Sequence, residues 1–166
     1  MARRLIALAL GAAVLVACSS EDPLAVQAVS RPVPKLSGGT LGGKTFGPAD
    51  HTGEFLVVNF WATWCGPCKQ EQPVLVRTYD AFHSRGVRFV GVDEADNTSA
   101  AKDWARNFTV PYPILEDPSG SYSASFGFFG LPATYVVDRT GTIRFVIPRI
   151  TSEDELSGLL NQLLTG

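Results

Sequence analysis

Metal-binding side chains are scarce in this chain of 166 residues, which holds three cysteines and two histidines. A closed structural zinc site needs four ligands. His51 and His83 lie on either side of the pair Cys65 and Cys68, with no HxxxH-type spacing between them, so the sequence argues against a metal centre. Basic residues are outnumbered, 14 to 16, by acidic ones and form no cluster or stripe. Nucleic acid is therefore not an expected partner. Internal repeats are absent, and so is any low-complexity tract beyond the N-terminus. The apolar stretch from Leu5 to Val16 is too short to span a bilayer.

That stretch follows Arg3 and Arg4 and has the length of a signal-peptide h-region. An ordinary secretory signal ends in small residues, but here Leu15-Val16-Ala17 leads into Cys18, followed by the polar Ser19-Ser20-Glu21-Asp22. The pattern resembles a bacterial lipobox. Residues 1–17 are read as a lipoprotein signal peptide and Cys18 as the lipidated first residue of an extracytoplasmic protein anchored to the cell membrane. Without Arg3 and Arg4 the exported part carries a net charge of about −4, so attachment would come from lipid and not from a basic surface. Residues 18–35, polar and marked by Pro23, Pro32 and Pro34, are expected to form a flexible tether. The segment from Ser19 would span roughly 20–25 Å as a random coil. Residues 36–166 are long enough for one domain with a proper core.

Within that domain strands and helices alternate. Thr40 to Phe46 suggests a glycine-turned hairpin, and Phe55 to Trp61 a strand buried on both faces. A helix is expected from about Gly66 to Ser84, with Pro73 inside it and Gly86 closing it. Val87 to Val92 forms a second buried strand. Thr98 or Ser99 can cap a helix through Phe108; an extended piece over Tyr112 to Leu115 and a short helix or turn over Pro118 to Phe126 follow. Ala133 to Val137 and Thr142 to Ile147 form an antiparallel hairpin, and Thr151 or Ser152 caps a last amphipathic helix. The pattern predicts an α/β fold, a mixed sheet covered by helices on both sides.

Chemistry is concentrated in Trp64-Cys65-Gly66-Pro67-Cys68, directly after the first buried strand. Two cysteines separated by two residues can close a small disulfide or open it to two thiols. At the start of a helix the first of them lies among unpaired N–H groups at the positive end of the macrodipole, which favours the attacking thiolate. A purely structural disulfide is a poor alternative, because so small a loop removes little chain entropy. With Cys18 lipidated, the odd cysteine count leaves no spare thiol.

This motif, with Gly130-Leu-Pro-Ala-Thr-Tyr-Val-Val-Asp138, resembles thioredoxin. More narrowly, residues 60–73 (FWATWCGPCKQEQP), the N-terminal hairpin and Gly141-Thr-Ile-Arg144 are similar to the extracytoplasmic TlpA/ResA/CcmG-like thioredoxins. The resemblance covers nearly all of residues 36–164. It implies a thioredoxin fold with an N-terminal hairpin extension and a protein-disulfide oxidoreductase that needs no cofactor. Such an enzyme acts on exported protein thiols and disulfides and is recycled by a membrane redox partner. Many members keep apocytochrome c cysteines reduced for haem attachment. A monomer is expected.

By the same resemblance Cys65 is the exposed nucleophile, Cys68 the buried resolving thiol of a Cys65–Cys68 disulfide, and Pro132 the family's cis-proline. Gly66 lets a partner's backbone approach, Pro67 presets helical φ where an N–H had no partner, Trp64 either shields the sulfurs or simply packs at the core edge, and the Leu131 backbone pairs with an extended substrate. Glu71 follows Cys68 by three residues on one helix face, where it can exchange a proton; a helix-dipole partner is the plainer reading. Thioredoxin's buried aspartate is replaced by Asn59, and the family carries a glutamate at the position of Glu71, which favours the acid–base role. Lys69 reads as solvated, and Asp93, Glu94 and Asp96 read as a loop and cap cluster. Of Phe128 and Phe129, one is a candidate for an apolar partner groove. Three alternatives remain. A disulfide-forming oxidant would share this fold. A copper-binding lipoprotein would want two cysteines with three residues between them and a later histidine, whereas two residues separate Cys65 from Cys68 and no histidine follows His83. A peroxidase would want a threonine where Ala62 stands.

Overall fold

The run Phe55–Trp61 has no polar face, and all seven of its residues are buried. A strand of that kind must have neighbours on both edges and layers on both faces. The computed structural model describes residues 22–127 and 130–166. The expected signal peptide and Cys18 lie outside the described residues, as do Phe128 and Phe129.

Among the described residues eight strands and four α-helices follow in order: β1 (Gln27–Pro32), β2 (Gly38–Gly39), β3 (Thr45–Phe46), β4 (Phe55–Trp61), α1 (Gly66–Phe82), β5 (Val87–Glu94), α2 (Thr98–Asn107), β6 (Ile114–Asp117), α3 (Ser121–Phe126), β7 (Ala133–Val137), β8 (Thr142–Ile147) and α4 (Glu153–Thr165). Six strands form one sheet in the order β1-β8-β7-β4-β5-β6, and β2 pairs with β3 in a separate hairpin. β4 is parallel to β5 and antiparallel to β7, so the sheet is mixed.

Alternation along β4 divides the core. Leu56, Val58 and Phe60 point to the side of α3 and the hairpin, where they meet Phe126, Phe46 and Leu36. Phe55 and Val57 point to the side of α1 and α4, against Leu75, Phe82, Leu156 and Leu160. Trp61 continues that second face and packs with Trp104 of α2, the rings stacked at 4.8 Å. Gly91 makes room for it: a Cβ there would stand 2.9 Å from the indole nitrogen.

The elements fall close to their expected places, with three differences. First, the cap of α2 is Asn97 and not Thr98 or Ser99. Its side-chain oxygen reaches two free N–H groups of the first turn, from Ser99 (2.9 Å) and Ala100 (3.2 Å). Second, the extended piece expected from Tyr112 joins the sheet only at Ile114. The third difference concerns the tether. Residues 27–32 are not flexible chain but the edge strand β1, antiparallel to β8. Its Val29 packs on the core, and the Arg31 guanidinium donates to the Phe126 carbonyl (2.5 Å) and lies over the Tyr135 ring. The alternating partly buried and exposed residues of β1 are those of an edge strand, a weaker signal than the prolines that flank it.

A chain beginning at Val33 therefore loses a strand. Its urea unfolding is expected to show a stability lower by about 2–4 kcal/mol than that of a chain beginning at Asp22, from two partly buried apolar side chains, Val26 and Val29, and one charged hydrogen bond. Equal midpoints would return β1 to the status of a tether.

Candidate active site

Cys65 is the N-cap residue of α1, with extended backbone (φ −83°, ψ 104°), and its Sγ accepts the backbone N–H of Cys68 at 3.2 Å. Pro67 falls in the first helical turn, where an N–H would have had no partner in the helix. The two sulfurs are bonded to each other, with the Cα atoms 5.3 Å apart. Cys65 is not exposed as expected. In this oxidised form it is 5% accessible and Cys68 2%, because both pack with Trp61, Ala62 and Leu131. Solvent reaches the neighbouring positions instead. Trp64 is 65% accessible, which excludes a core-packing role, and Gly66, Pro67 and Lys69 are exposed.

Pro132 is buried, and the Leu131–Pro132 bond is cis. Leu131 is partly buried in the cluster that holds both cysteines. The structure thus brings Cys65, Cys68 and Leu131 together.

Glu71 is fully buried one turn along α1 from Cys68. The parity of β4 places Asn59 on the face that α1 covers, and Asn59 donates from Nδ2 to Glu71 Oε2 at 2.9 Å. The second Asn59 proton goes to Thr134 Oγ1 of β7 at 3.0 Å; the two residues are paired across the β4–β7 ladder. The other Glu71 oxygen accepts the Thr151 N–H at 2.8 Å. Burial pushes the carboxyl up to about 7, against the opposing pull of the Thr151 and Asn59 donors. Glu71 is therefore poised to exchange a proton near neutral pH, a property that a solvated helix-dipole acid lacks.

Sequence reasoning missed Thr134 and Thr151 as partners of this group. Thr134 carried a signal, since it is a polar residue inside a buried strand. Thr151 did not, because its contribution is a backbone N–H. A second missed contact fixes the turn before the cysteines: Asp96 accepts from both Thr63 N (2.5 Å) and Thr63 Oγ1 (2.9 Å). Among the described residues no group of three or more His, Cys, Asp or Glu could hold a metal ion.

Comparison with known proteins gives a consistent picture. Residues 29–146 match the model of the AhpC/TSA family. The chain is 33% identical over 142 residues to the thiol:disulfide interchange protein DsbE of Pseudomonas fluorescens biotype C, covering 82% of this chain and 78% of that protein. It is 26% identical to the thiol-disulfide oxidoreductase ResA of Bacillus thuringiensis subsp. konkukian over 74% of this chain and 71% of the relative. Among solved structures, a secreted Mycobacterium tuberculosis disulfide oxidoreductase, described as homologous to Escherichia coli DsbE, superposes with a TM-score of 0.70 at 29% identity. It covers 77% of this chain and 96% of that one.

The buried acid makes stability depend on pH. Its native pKa is raised from 4.5 to about 7, so the folded state holds the proton more tightly than the unfolded chain. The resulting stabilisation is full below about 4.5 and is lost as pH rises through 7, a change of roughly 3 kcal/mol. In Glu71→Gln the amide NH₂ must face either the Thr151 or the Asn59 donor, a fixed penalty at every pH. Urea unfolding of the oxidised proteins should show the stability gap between wild type and Glu71→Gln closing, or reversing in favour of the variant, between pH 5 and pH 8. Parallel profiles would mean that Glu71 does not titrate in that window.

Proposed function

The chain belongs to the AhpC/TSA family and is a thiol–disulfide oxidoreductase of thioredoxin fold; from that premise we propose that it works outside the cytoplasm, tethered by lipid on Cys18, as a reductase of disulfides in exported proteins. The observation that carries the reading is the Cys65–Cys68 disulfide at the start of α1, flanked by the exposed Trp64 and backed by the buried Glu71.

In the reduced protein Cys65 has the N-cap position, where unpaired N–H groups and the helix dipole favour its thiolate. That thiolate attacks one sulfur of a substrate disulfide, forms a mixed disulfide, and releases the other substrate sulfur as a thiolate. Cys68, losing its proton with the help of Glu71, then attacks the Cys65 sulfur. The second substrate thiolate leaves, two electrons have passed to the substrate, and the protein is left in the disulfide form described above. A membrane redox partner returns two electrons to the pair. Trp64, Gly66 and Pro67 supply the docking surface, and the Leu131 backbone beside Pro132 pairs with an extended substrate segment. Apocytochrome c cysteines awaiting haem are the proposed natural substrates, met by a monomer that carries no cofactor. Ala62 supplies no hydroxyl where a peroxidase would want a threonine, and Cys68 gives Cys65 a resolving partner three residues away.

Cys65→Ser is expected to abolish reduction of insulin disulfides, and Cys68→Ser to accumulate mixed disulfides through Cys65. Mapping the trapped species by mass spectrometry checks the roles; traps formed through Cys68 in a Cys65→Ser protein would reverse them.

Anchoring has its own test. Cys18→Ser is expected to abolish metabolic lipid labelling and to move the protein from the membrane fraction to the soluble one, or to leave it unprocessed. Unchanged labelling and membrane retention would remove lipid on Cys18 from the reading.

A further inference from the structure

Acidic side chains gather where β5 and β6 end, and the strand alternation sends them to opposite faces. Glu94 and Asp117 lie on the α3 side. There Asp117 accepts the N–H groups of Ser121, Tyr122 and Ser123, and Glu94 Oε1 accepts the Ser123 hydroxyl at 3.0 Å. Asp93 and Glu116 lie on the other face, the one that carries Trp61, Ile114 and the two cysteines. Among the described residues none of Asp93, Glu94, Asp96 and Glu116 has a cation within ion-pair distance.

Asp93 is unusual within this group. It is 3% accessible, and its Oδ1 is enclosed without a hydrogen-bond partner. Its carboxyl meets that of Asp96, whose oxygens already take three donors: Thr63 N, Thr63 Oγ1 and Asn97 N. Two carboxylates in contact in a poorly solvated site cannot both be ionised. The negative charge belongs on Asp96, which has the donors, and the proton on Asp93, which has none. Thr63 in turn stands inside a tight turn, closed by the Cys65 N–H donating to the Ala62 carbonyl at 3.1 Å.

We propose that Asp93 is a positioning residue of the redox site: as a neutral acid it donates its proton to the Asp96 carboxylate, and this pair fixes Thr63 and the turn on which the Cys65 sulfur stands. The proposal rests on the reading of Cys65 as the attacking sulfur. Burial, the charge and hydrogen bond of Asp96, and the charge of Glu116 together push Asp93 up to about 7. Burial pushes Asp96 up as well, but the Thr63, Asn97 and Asp93 bonds outweigh it and hold Asp96 below the usual carboxylate range. The other elements against Asp93 add no compensating charge. β4 presents Trp61, β6 presents Glu116 with the Thr98 hydroxyl donating to it at 2.6 Å, and α2 presents Ala101 and Trp104. Above neutrality Asp93 loses its proton, Asp96 loses a donor and gains a like-charged neighbour, and the hold on Thr63 weakens.

The oxidised protein gives a clean test, because neither cysteine titrates in it. With ¹³C-carboxyl aspartate and ¹⁵N labelling, the Asp93 carbon is expected to titrate near neutral pH, and the Thr63 amide resonance to move with the same midpoint. Glu71→Gln should leave that inflection in place. Asp93→Asn, whose amide donates to Asp96 at every pH, should hold the Thr63 amide at its low-pH position throughout. In reduced protein, the Cys65 thiolate fraction read by absorbance at pH 8 is expected to be roughly two- to five-fold higher in Asp93→Asn than in wild type, where the ionised Asp93 weakens the turn that stabilises the thiolate. An Asp93 that titrates near about 4 in wild-type protein, an ordinary value, would overturn the proposal without any variant having to fold. So would a Thr63 inflection that survives Asp93→Asn, or a Cys65 thiolate fraction at pH 8 that is the same with and without Asp93. Failure of insulin reduction, by contrast, would overturn the reductase reading and leave the resonances of the oxidised protein as expected.

Discussion

One buried carboxyl holds the site's supporting elements together. Apolar packing of α1 on the sheet favours contact but is non-directional, so it does not by itself fix where the helix begins relative to the end of β4. Glu71 does. It can accept from Asn59 of β4 and from the Thr151 N–H ahead of α4 only when α1 has one rotation and one axial position. The second Asn59 proton extends the tie to β7 at Thr134, two residues after Pro132. Shifting any of these elements would leave a buried donor or acceptor without a partner, at a cost of about 1–3 kcal/mol each. Cys65, at the start of the same helix, and Pro132, immediately before β7, inherit their placement from this network.

The same carboxyl suits the proposed chemistry for a related reason. Cys68 lies in an apolar cluster, where a thiolate is costly. A nearby group that can take a proton at neutral pH lowers that cost only while it is itself ionised. An ordinary glutamate would always be ionised but would return the proton poorly; one held near 7 can do both. Two neutral donors, from Thr151 and Asn59, lower the cost of the ion without neutralising it, whereas a lysine or arginine would have pinned it as a carboxylate.

Much of this was legible in the sequence. Strands β4, β5, β7 and β8, the helix after the cysteines and the final amphipathic helix follow from apolar runs, glycine turns and capping residues, which are local properties. Asn59 and Glu71 were separately visible as an uncharged residue where an acid was expected and an acid one turn beyond a cysteine. Their mutual hydrogen bond was not, because residues 12 positions apart on different elements meet only through strand parity and helix rotation. β1 was obscured for a similar reason: an edge strand needs only one partner and one buried face, and its short proline-flanked sequence has little local signature. The low exposure of Cys65 also lay beyond sequence, since it depends on Leu131, which follows β5 and β6 in the chain and reaches Cys65 only because β7 pairs with β4.

Strand alternation also explains how so many acids can share one end of the sheet. Asp93 and Glu94 are adjacent in sequence but face opposite layers, so their carboxyl groups are separated by the sheet itself. On the α3 side the solution is structural. Three backbone N–H groups at the start of that helix converge on Asp117, and the Ser123 hydroxyl serves both Asp117 and Glu94. On the active-site side the donors run out after Asp96 is satisfied, and Asp93 has only the carboxyl of Asp96 to meet. A fold that needed only a cap at this point could have placed an asparagine or serine there. The acid gives the turn before Cys65 a support that depends on protonation, adjacent to a reaction whose rate also depends on protonation.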